Sequence, residues 1–472
     1  MNFNSILFFA LVIPVLLMYR WLPWKWGKIV LVIASYVFYG YAEPWYMILL
    51  FYSSVVDYIG AIMIHDAKKE IWRKVWLAIS VIGNLGLLLT FKYTDFIIEN
   101  VNVLGAVFDV TPIEKLGWLL PVGISFYTFQ TLSYSIDVYI REAEPCRNFM
   151  TFALYVAYFP QLVAGPIERA SHLIKQLGDK HQVDAENIMQ GIQRILWGLV
   201  KKCVIADRLA ILINEAYANP GEMPAPVLLM VMPGFMLQLY LDFSAYTDIA
   251  IGLARLMGVK LAENFKHPLA ARNPADFWNR WHITLTTWFR DYVFVTLGGL
   301  KRQQMKKSLI NIMIVFTLTG IWHGARWNFV FFGVYAGLGV AVYQYIKIFS
   351  PWRTTRPLLG KTILGTSLAV FLHTVYYSVG GVFFRTPDIA TALQLYKGAL
   401  FNTWRIAHEH QLYILFFTLM FAVHFIRDSD SYMSRINEKI KLIPVWVWCT
   451  FYVVVLAFWA YDYQVTFVYF QF

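Results

Sequence analysis

Two histidines lie in segments that are otherwise apolar and rich in tryptophan. His323 occurs in "LTGIWHGARWN" (residues 318–328), between two long apolar runs, and His282 occurs in "FWNRWHITLTTWFRDYV" (residues 277–293). Imidazole titrates near neutral pH, so each can be a structural hydrogen-bonding residue, a proton relay of a transporter, or a general base. Nucleophile-elbow, Walker and zinc-protease motifs do not occur, so any catalysis would rest on histidine acting on bound reactants.

The segments around His323 predict a helical hairpin. Residues 301–307 and 347–361 are basic, and short basic loops stay on the cytoplasmic side of a membrane. The two apolar runs between them would therefore start and end on that side, with His323 near the tip, deep in or beyond the bilayer centre. Gly320 and Gly324 bracket the histidine and allow other backbone or a substrate to approach closely.

The residues before His282 predict the start of a helix. Asn273 is a good N-cap, Pro274 suits the first helical position, and Asp276 lies in the first turn. A continuous helix from there would place one face along Trp278, His282, Leu285 and Phe289. An amphipathic helix at the membrane surface explains the tryptophans but not a histidine within the apolar face. Because His282 and His323 lie in similar surroundings, we expect them to share a cavity.

A third segment, "YLDFSAYTDIAIG" (residues 240–252), places polar groups at the end of an apolar run. Asp242 and Tyr246 are one helical turn apart, as are Ser244 and Asp248. These groups can form hydrogen bonds between helices. Alternatively, Asp242, Ser244 and Tyr246 line a polar tunnel together with Trp322. The sequence leaves both interpretations open.

The composition places these segments in a membrane. Of 472 residues, 58% are hydrophobic and 15% are charged, whereas soluble chains are about one quarter charged. Repeated apolar runs predict an all-α integral membrane protein with several spans, in a single domain over residues 1–472. The three cysteines form no metal-like cluster, so we predict no metal site, and their odd number argues against a disulfide framework.

The net charge of +11 has a simple explanation in a membrane protein. The basic residues concentrate at Lys201 and Lys202 and in residues 301–307 and 347–361, which predicts cytoplasmic anchoring beside anionic lipid. A second interpretation is that some of them hold an anionic cytosolic cofactor. Nucleic acid is not an expected partner.

Taken together, the motifs resemble those of the membrane-bound O-acyltransferase (MBOAT) family. The residues that carry the resemblance are "FPQLVAGPIER" (159–169), the three segments above, and the N-terminal "IASYVFYGYAEPWY" (33–46) and "PVGISFYTFQTLSYSIDVY" (121–139). They are most similar to the bacterial branch that contains the alginate O-acetylation subunit. The resemblance covers a core of residues 30–345, and the C-terminal helices in 346–472 share only their hydrophobicity.

The resemblance implies a fold and a set of site residues. The fold would have about 11 transmembrane helices, plus re-entrant or amphipathic helices, around a central funnel and tunnel. His323 matches the catalytic histidine of the family, and His282 matches its second active-site position. We expect His323 to be the general base, with a brief covalent acetyl-histidine as the fallback. His282, or donors near it, would orient the donor or stabilise the oxyanion. Residues expected to contact coenzyme A are Arg280, Arg290, Trp281 and Asn279.

The resemblance also implies a reaction: acetyl passes from cytosolic acetyl-CoA across the bacterial inner membrane to a hydroxyl. The acceptor would be a periplasmic partner protein or an exopolysaccharide, of alginate type by the motif wording, with cellulose and peptidoglycan as alternatives. A proton-coupled transporter or flippase of an envelope precursor, with His323 and His282 as relays, is the competing hypothesis. A scaffold for a periplasmic acetyltransferase is a third, and it is compatible with the first.

Overall fold

The protein is all-helical within the residues that the computed structural model describes. These are residues 3–41, 43–349, 362–407 and 443–460, together with 410, 411, 414, 415, 417–419 and 467. Six helices in this part of the chain are long and apolar enough to cross a membrane. An all-α multi-pass membrane protein is thus confirmed, whereas the total of about 11 transmembrane helices stays a prediction. The apolar run predicted at 412–425 lies largely outside the described residues.

The chain divides into two compact units that interleave in sequence, so the single domain stays a prediction. The first comprises Met1–Gly198 and Tyr246–Ala262, and the second comprises Leu199–Ala245 and Glu263–Phe472. The helices of the first unit are α1 (Ile6–Trp21), α2 (Trp24–Gly40), α3 (Tyr46–Asp66), α4 (Glu70–Leu88), α5 (Thr94–Gly105), α6 (Ile124–Tyr139), α7 (Phe149–Ala157), α8 (Ala170–Gly178) and α9 (Ala185–Leu199).

A buried carboxylate network holds α3, α4 and α6 together in the first unit. Asp57 is fully buried and accepts hydrogen bonds from Ser80, from Asn84 Nδ2 at 2.8 Å and from Ser135 Oγ at 3.1 Å. All three donors are neutral. Because hydrocarbon offers no water to buried polar groups, such a network fixes which faces of the three helices meet.

The second unit contains the hairpin predicted around His323. Its helices are α10 (Asp207–Ala218), the first part of α11 (Ala225–Leu256), α12 (Pro274–Trp278), α13 (Ile283–Phe289), α14 (Met305–His323), α15 (Trp327–Phe349), α16 (Ile363–Arg385), α17 (Ile389–Phe401) and α18 (Val445–Trp459). Helices α14 and α15 pack against each other as the predicted hairpin, with a connection of three residues. Each is long enough to span the bilayer, so α14 is longer than the apolar run at residues 309–322 from which it is predicted.

Glycines let the two hairpin helices come into backbone contact. A Cβ on Gly320 would lie 2.3 Å from the carbonyl oxygen of Phe329 and 2.9 Å from Cα of Gly333. A Cβ on Gly324 would lie 2.2 Å from the ring of Phe329. The close approach predicted at Gly320 and Gly324 is therefore confirmed, and neither position accepts a larger residue without displacing its neighbour.

The helix predicted to run through His282 is interrupted. Asn273 caps α12 as predicted, because its Oδ1 accepts the Asp276 N–H at 2.9 Å. However, α12 ends at Trp278, and α13 begins only after His282, whose φ of +42° is left-handed. The single face through Trp278, His282, Leu285 and Phe289 was therefore a wrong prediction. Because of this break, the direction of the His282 side chain is not set by the helical positions of the residues on either side of it.

Candidate active site

His323 ends α14 at the tip of the hairpin. Its residue is 7% exposed, and aromatic rings surround the imidazole. The ring centroids of Trp322, Phe384 and Phe332 lie 5.0, 5.1 and 6.2 Å from that of His323.

His282 lies against the same tryptophan as His323. The centroid of its ring is 6.1 Å from that of Trp322 and 4.9 Å from that of Phe243, and the residue is fully buried. The structure therefore brings the two histidines to one indole from separate elements. No helix places His282 there: its left-handed backbone conformation does so, and histidine tolerates this better than most residues.

Asn264 determines the tautomer of His282. The Oδ1 of Asn264 accepts hydrogen bonds from the backbone N–H and the hydroxyl of Thr284, at 3.2 and 2.9 Å. A backbone N–H can only donate, so this atom is an oxygen. The contact of 3.2 Å to Nδ1 of His282 then requires the proton on Nδ1. In the neutral ring, Nε2 carries the lone pair and accepts hydrogen bonds rather than donating them.

Burial keeps His282 neutral. The residue lies outside the six helices that can cross the membrane, and burial lowers its pKa to about 3. Loss of solvation is the largest cause of this shift, because it disfavours the charged form of the ring. At neutral pH, His282 is therefore a neutral hydrogen-bond acceptor with a fixed orientation, held by Asn264.

The residues predicted to line a tunnel have different surroundings. Asp242 accepts a hydrogen bond from the fully buried Lys202 at 2.7 Å, and Ser244 accepts one from Lys201 at 2.8 Å. Tyr246 falls in the first unit, where it stacks on Phe3 with ring centroids 4.2 Å apart. The anchoring of Lys201 and Lys202 beside lipid was a wrong prediction, because both lysines are buried and bonded to side chains.

The residues predicted to contact coenzyme A do not form one group. Trp281 is buried and stacks on Phe277, whereas Asn279 is exposed. Arg280 donates from Nε to Asp276 at 2.8 Å, and the more exposed Arg290 donates to the adjacent Asp291. Their contacts with coenzyme A stay predictions. Among the described residues, no cluster of three or more His, Cys, Asp or Glu could hold a metal ion.

A polar cluster that the sequence did not reveal lies on α12 and α16. Trp278, His373 and Tyr377 are all buried, and the Tyr377 ring lies 5.7 Å from His373 and 6.1 Å from Trp278. Within the described part of the chain, Nε1 of Trp278, Nε2 of His373 and the hydroxyl of Tyr377 have no hydrogen-bond partner. The only sequence signal was one histidine in an apolar run at residues 362–384, and its partners are distant in sequence.

We call Trp278, His373 and Tyr377 the α16 cluster. Aromatic rings connect this cluster with His282 and His323. The ring centroid of Phe277 lies 3.7 Å from that of Tyr377, and the ring of Phe277 stacks on that of Trp281. At the other end of α16, Phe384 lies beside His323. Tyr377 and Phe384 are seven residues apart, or about 10 Å along a helix axis. The unpartnered polar groups therefore lie about two turns from the level of His323.

Comparison with known proteins identifies similar chains that act as acyltransferases. The model of "MBOAT, membrane-bound O-acyltransferase family" matches residues 141–384, which include both histidines. The chain is 34% identical over 415 residues to the probable alginate O-acetylase AlgI of Pseudomonas aeruginosa, covering 86% of this chain and 76% of that protein. It is 30% identical over 442 residues to the peptidoglycan O-acetyltransferase of Helicobacter pylori, covering 87% and 78%. The teichoic acid D-alanyltransferase of Bacillus subtilis is 30% identical over 271 residues, covering 53% and 65%.

Proposed function

Because the chain belongs to the membrane-bound O-acyltransferase family, we propose that it transfers acetyl from cytosolic acetyl-CoA to a hydroxyl at the outer face of a bacterial inner membrane. The family resemblance of the motifs is confirmed, and the protein is a multi-pass membrane acyltransferase. The observation that carries the finer proposal is the pair of buried histidines beside Trp322, one of them at the tip of a hairpin.

His323 is the proposed general base. A thioester is already activated, so the protein must deprotonate the acceptor hydroxyl and align it with the acyl carbon. The hydroxyl proton moves to the imidazole of His323 as the new C–O bond forms. The C–S bond then breaks, and the proton passes from His323 to the departing thiolate. The products are an acetyl ester and a thiol, with no net change in protons.

His282 has a different proposed role from His323. With Nδ1 protonated toward Asn264, its Nε2 can accept a hydrogen bond but cannot donate one to an oxyanion. We therefore assign to His282 the role of orienting a reactant by accepting a hydrogen bond from it. The hydrogen bond would come from the hydroxyl that receives the acetyl group or from an amide N–H of acetyl-CoA. Any stabilisation of the oxyanion would come from neighbouring N–H or O–H groups.

The α16 cluster fits the arm of a pantetheine thioester. That arm carries two amides, which need both donors and acceptors when they leave water. The Nε1 of Trp278 and the hydroxyl of Tyr377 can donate, and the hydroxyl and the Nε2 of His373 can accept. These three residues would hold the arm, and coenzyme A would supply the activated acetyl group. Arg280 and Arg290 are the proposed contacts for its phosphates.

The proposed acceptor is an exopolysaccharide of alginate type or a periplasmic partner protein that completes the transfer. The support is the similarity to proteins named alginate O-acetylase, which covers most of the chain. The peptidoglycan O-acetyltransferase and the teichoic acid D-alanyltransferase keep other envelope polymers as alternatives.

The decisive experiment uses His323→Ala in the purified full-length protein. Vesicles containing the protein receive labelled acetyl-CoA outside and oligomannuronate as the acceptor on the other side. We expect the variant to lose acetyl transfer and coenzyme A release while it inserts and unfolds as the unmodified protein does. His65→Ala, at the end of α3, is the matched control and should retain activity. Full activity of His323→Ala would exclude the proposed base, and proton-coupled movement of a substrate without thioester consumption would favour a transporter.

A further inference from the structure

An apolar groove runs along the outside of the α14–α15 hairpin. It has a volume of about 620 Å³, and its wall is almost entirely apolar. From α14 it takes Leu309, Ile314 and Leu318 among others, and from α15 it takes Leu338 and Val342. Ile314, Leu318, Leu338 and Val342 are all exposed in the described structure. Neither histidine and no residue of the α16 cluster lines this groove, so it is separate from the active site.

The length of the groove matches one leaflet of a bilayer. Residues 309–318 of α14 rise about 14 Å along the helix. The hydrocarbon core of a bilayer is about 30 Å thick, so this length is about half of it. The groove therefore has the size and chemistry of a site for an acyl chain.

One end of the groove is strongly basic. Lys306 and Lys307 lie in the first turn of α14, three and two residues before the groove-lining Leu309. Lys347 follows the lining residue Tyr345 by two residues on α15. All three lysines are exposed. The helices are antiparallel, because Gly337 contacts Met313 and Gly333 contacts Phe316 and Gly320, so the three lysines lie at the same end of the hairpin.

Carboxylates are missing from this part of the sequence. No aspartate or glutamate occurs between Asp291 and Asp388, so no acidic side chain of the hairpin or its flanking segments neutralises these lysines. An apolar groove one leaflet long with a basic end complements an anionic phospholipid, whose chain is apolar and whose headgroup is negative.

We propose that the hairpin carries a specific site for one anionic phospholipid. An acyl chain lies in the groove between α14 and α15, and the phosphate contacts Lys306, Lys307 and Lys347. The bound lipid stabilises α14, the helix that ends at His323. The proposal does not depend on the identity of the acyl donor or acceptor.

The test measures lipid retention, which a failure of the proposed reaction would not affect. The full chain is purified in detergent, supplied with phosphatidylglycerol or phosphatidylcholine of equal chain length, and examined by native mass spectrometry and thermal unfolding. We expect preferential retention of one phosphatidylglycerol and a higher unfolding temperature with it. Replacing all three lysines by glutamine should weaken retention on the order of a hundredfold.

Two further variants test the parts of the site separately. Gln replacements at Lys68, Lys69 and Lys74, exposed residues around the start of α4, remove the same charge elsewhere and should leave the preference unchanged. Leu338→Trp fills the groove from an exposed position and should displace the lipid. The proposal would be overturned if the unmodified protein retained both lipids equally, or if the control variant lost phosphatidylglycerol as the triple lysine variant does. It would also be overturned if the triple lysine variant or Leu338→Trp still retained phosphatidylglycerol. A dimer that Leu338→Trp dissociates would instead make the groove an interface between copies.

Discussion

Replacing Asn264 by aspartate tests whether this residue controls the charge and orientation of His282. The substitution keeps the oxygen that accepts from Nδ1 of His282 and from both donors of Thr284. The Nδ2 of Asn264 has no hydrogen-bond partner among the described residues, so the change removes no contact there. What it adds is a negative charge 3.2 Å from the imidazole.

The size of the effect follows from that distance. Two unit charges 3.2 Å apart at an effective dielectric constant of about 20 interact by about 5 kcal/mol, or nearly 4 pKa units. Burial lowers the pKa of His282 to about 3 in the unmodified protein. The added carboxylate offsets this shift, so the imidazole and the new carboxylate should together take up one proton at about pH 7. In the variant, the imidazole of His282 is neutral above that pH and carries or shares the proton below it.

The assay compares initial rates of acetyl transfer between pH 5.5 and 9 for the two proteins. Dividing the rate of the variant by that of the unmodified protein cancels the effects of pH that the two proteins share. We expect this ratio to fall about tenfold per pH unit below pH 7 and to level off above it, because only the neutral His282 offers a lone pair. Adding His282→Gln to the variant should abolish this pH dependence. A ratio that does not change with pH would refute the assignment of the tautomer to Asn264.

Three further predictions concern stability, each measured by unfolding in mixed micelles. Gly320→Ala should destabilise the protein by about 1–3 kcal/mol, because its Cβ would overlap the Phe329 carbonyl. Gly86→Ala, where a Cβ meets nothing within 4 Å, should be neutral or stabilise by about 0.5–1 kcal/mol; equal losses would contradict the packing argument. Asp57→Ala removes the acceptor of three hydrogen bonds and should cost about 2 kcal/mol, and no loss would mean that the network is not formed. Lys202→Met leaves buried carboxylates without their cation and should cost about 3–5 kcal/mol, whereas a gain would show that the pairs do not stabilise the fold.

Local rules predicted the elements that hold His323 but not the residues around it. Apolar runs between basic segments predicted the hairpin, and the two glycines predicted the close approach at its tip. These features depend on residues near each other in sequence. Phe384, which contacts His323, lies on α16, and nothing in the hairpin sequence identifies it as the neighbour.

The error at His282 has a physical cause outside its own segment. The spacing of the aromatic residues fits a helix, and the Asn273 cap begins one. However, the backbone N–H of Lys266 donates to the carbonyl of Arg280, and that of Ile283 donates to the carbonyl of Asn264. These contacts take the Arg280 carbonyl and the Ile283 N–H away from helical partners, although the Trp281 N–H still donates to the Phe277 carbonyl. A pairing with a segment about 16 residues away cannot be deduced from helical periodicity alone.

Lys201 and Lys202 show a similar limit for charge patterns. Two adjacent lysines favour a cytoplasmic loop, but in the structure they lie in a buried π-helical segment, Val200–Ala206. Lys202 bonds to Asp207 and Asp242, so its charge is neutralised within the protein. The sequence leaves Asp242 either as a former of hydrogen bonds between helices or as a tunnel-lining residue, and it does not identify Lys202 as the partner because several basic residues are available.

The two histidines differ in how the fold holds them, and this difference separates their roles. His323 ends the regular helix α14, and the rings of Trp322 and Phe384 lie beside its imidazole. His282 has a left-handed backbone conformation, which costs of order 1–3 kcal/mol and persists only where neighbouring contacts impose it. Those contacts come from residues 264–266, and the same Asn264 also bonds to its ring. A group held neutral and oriented in this way can position a reactant but is poorly suited to carry a proton, which is why the proposed base is His323.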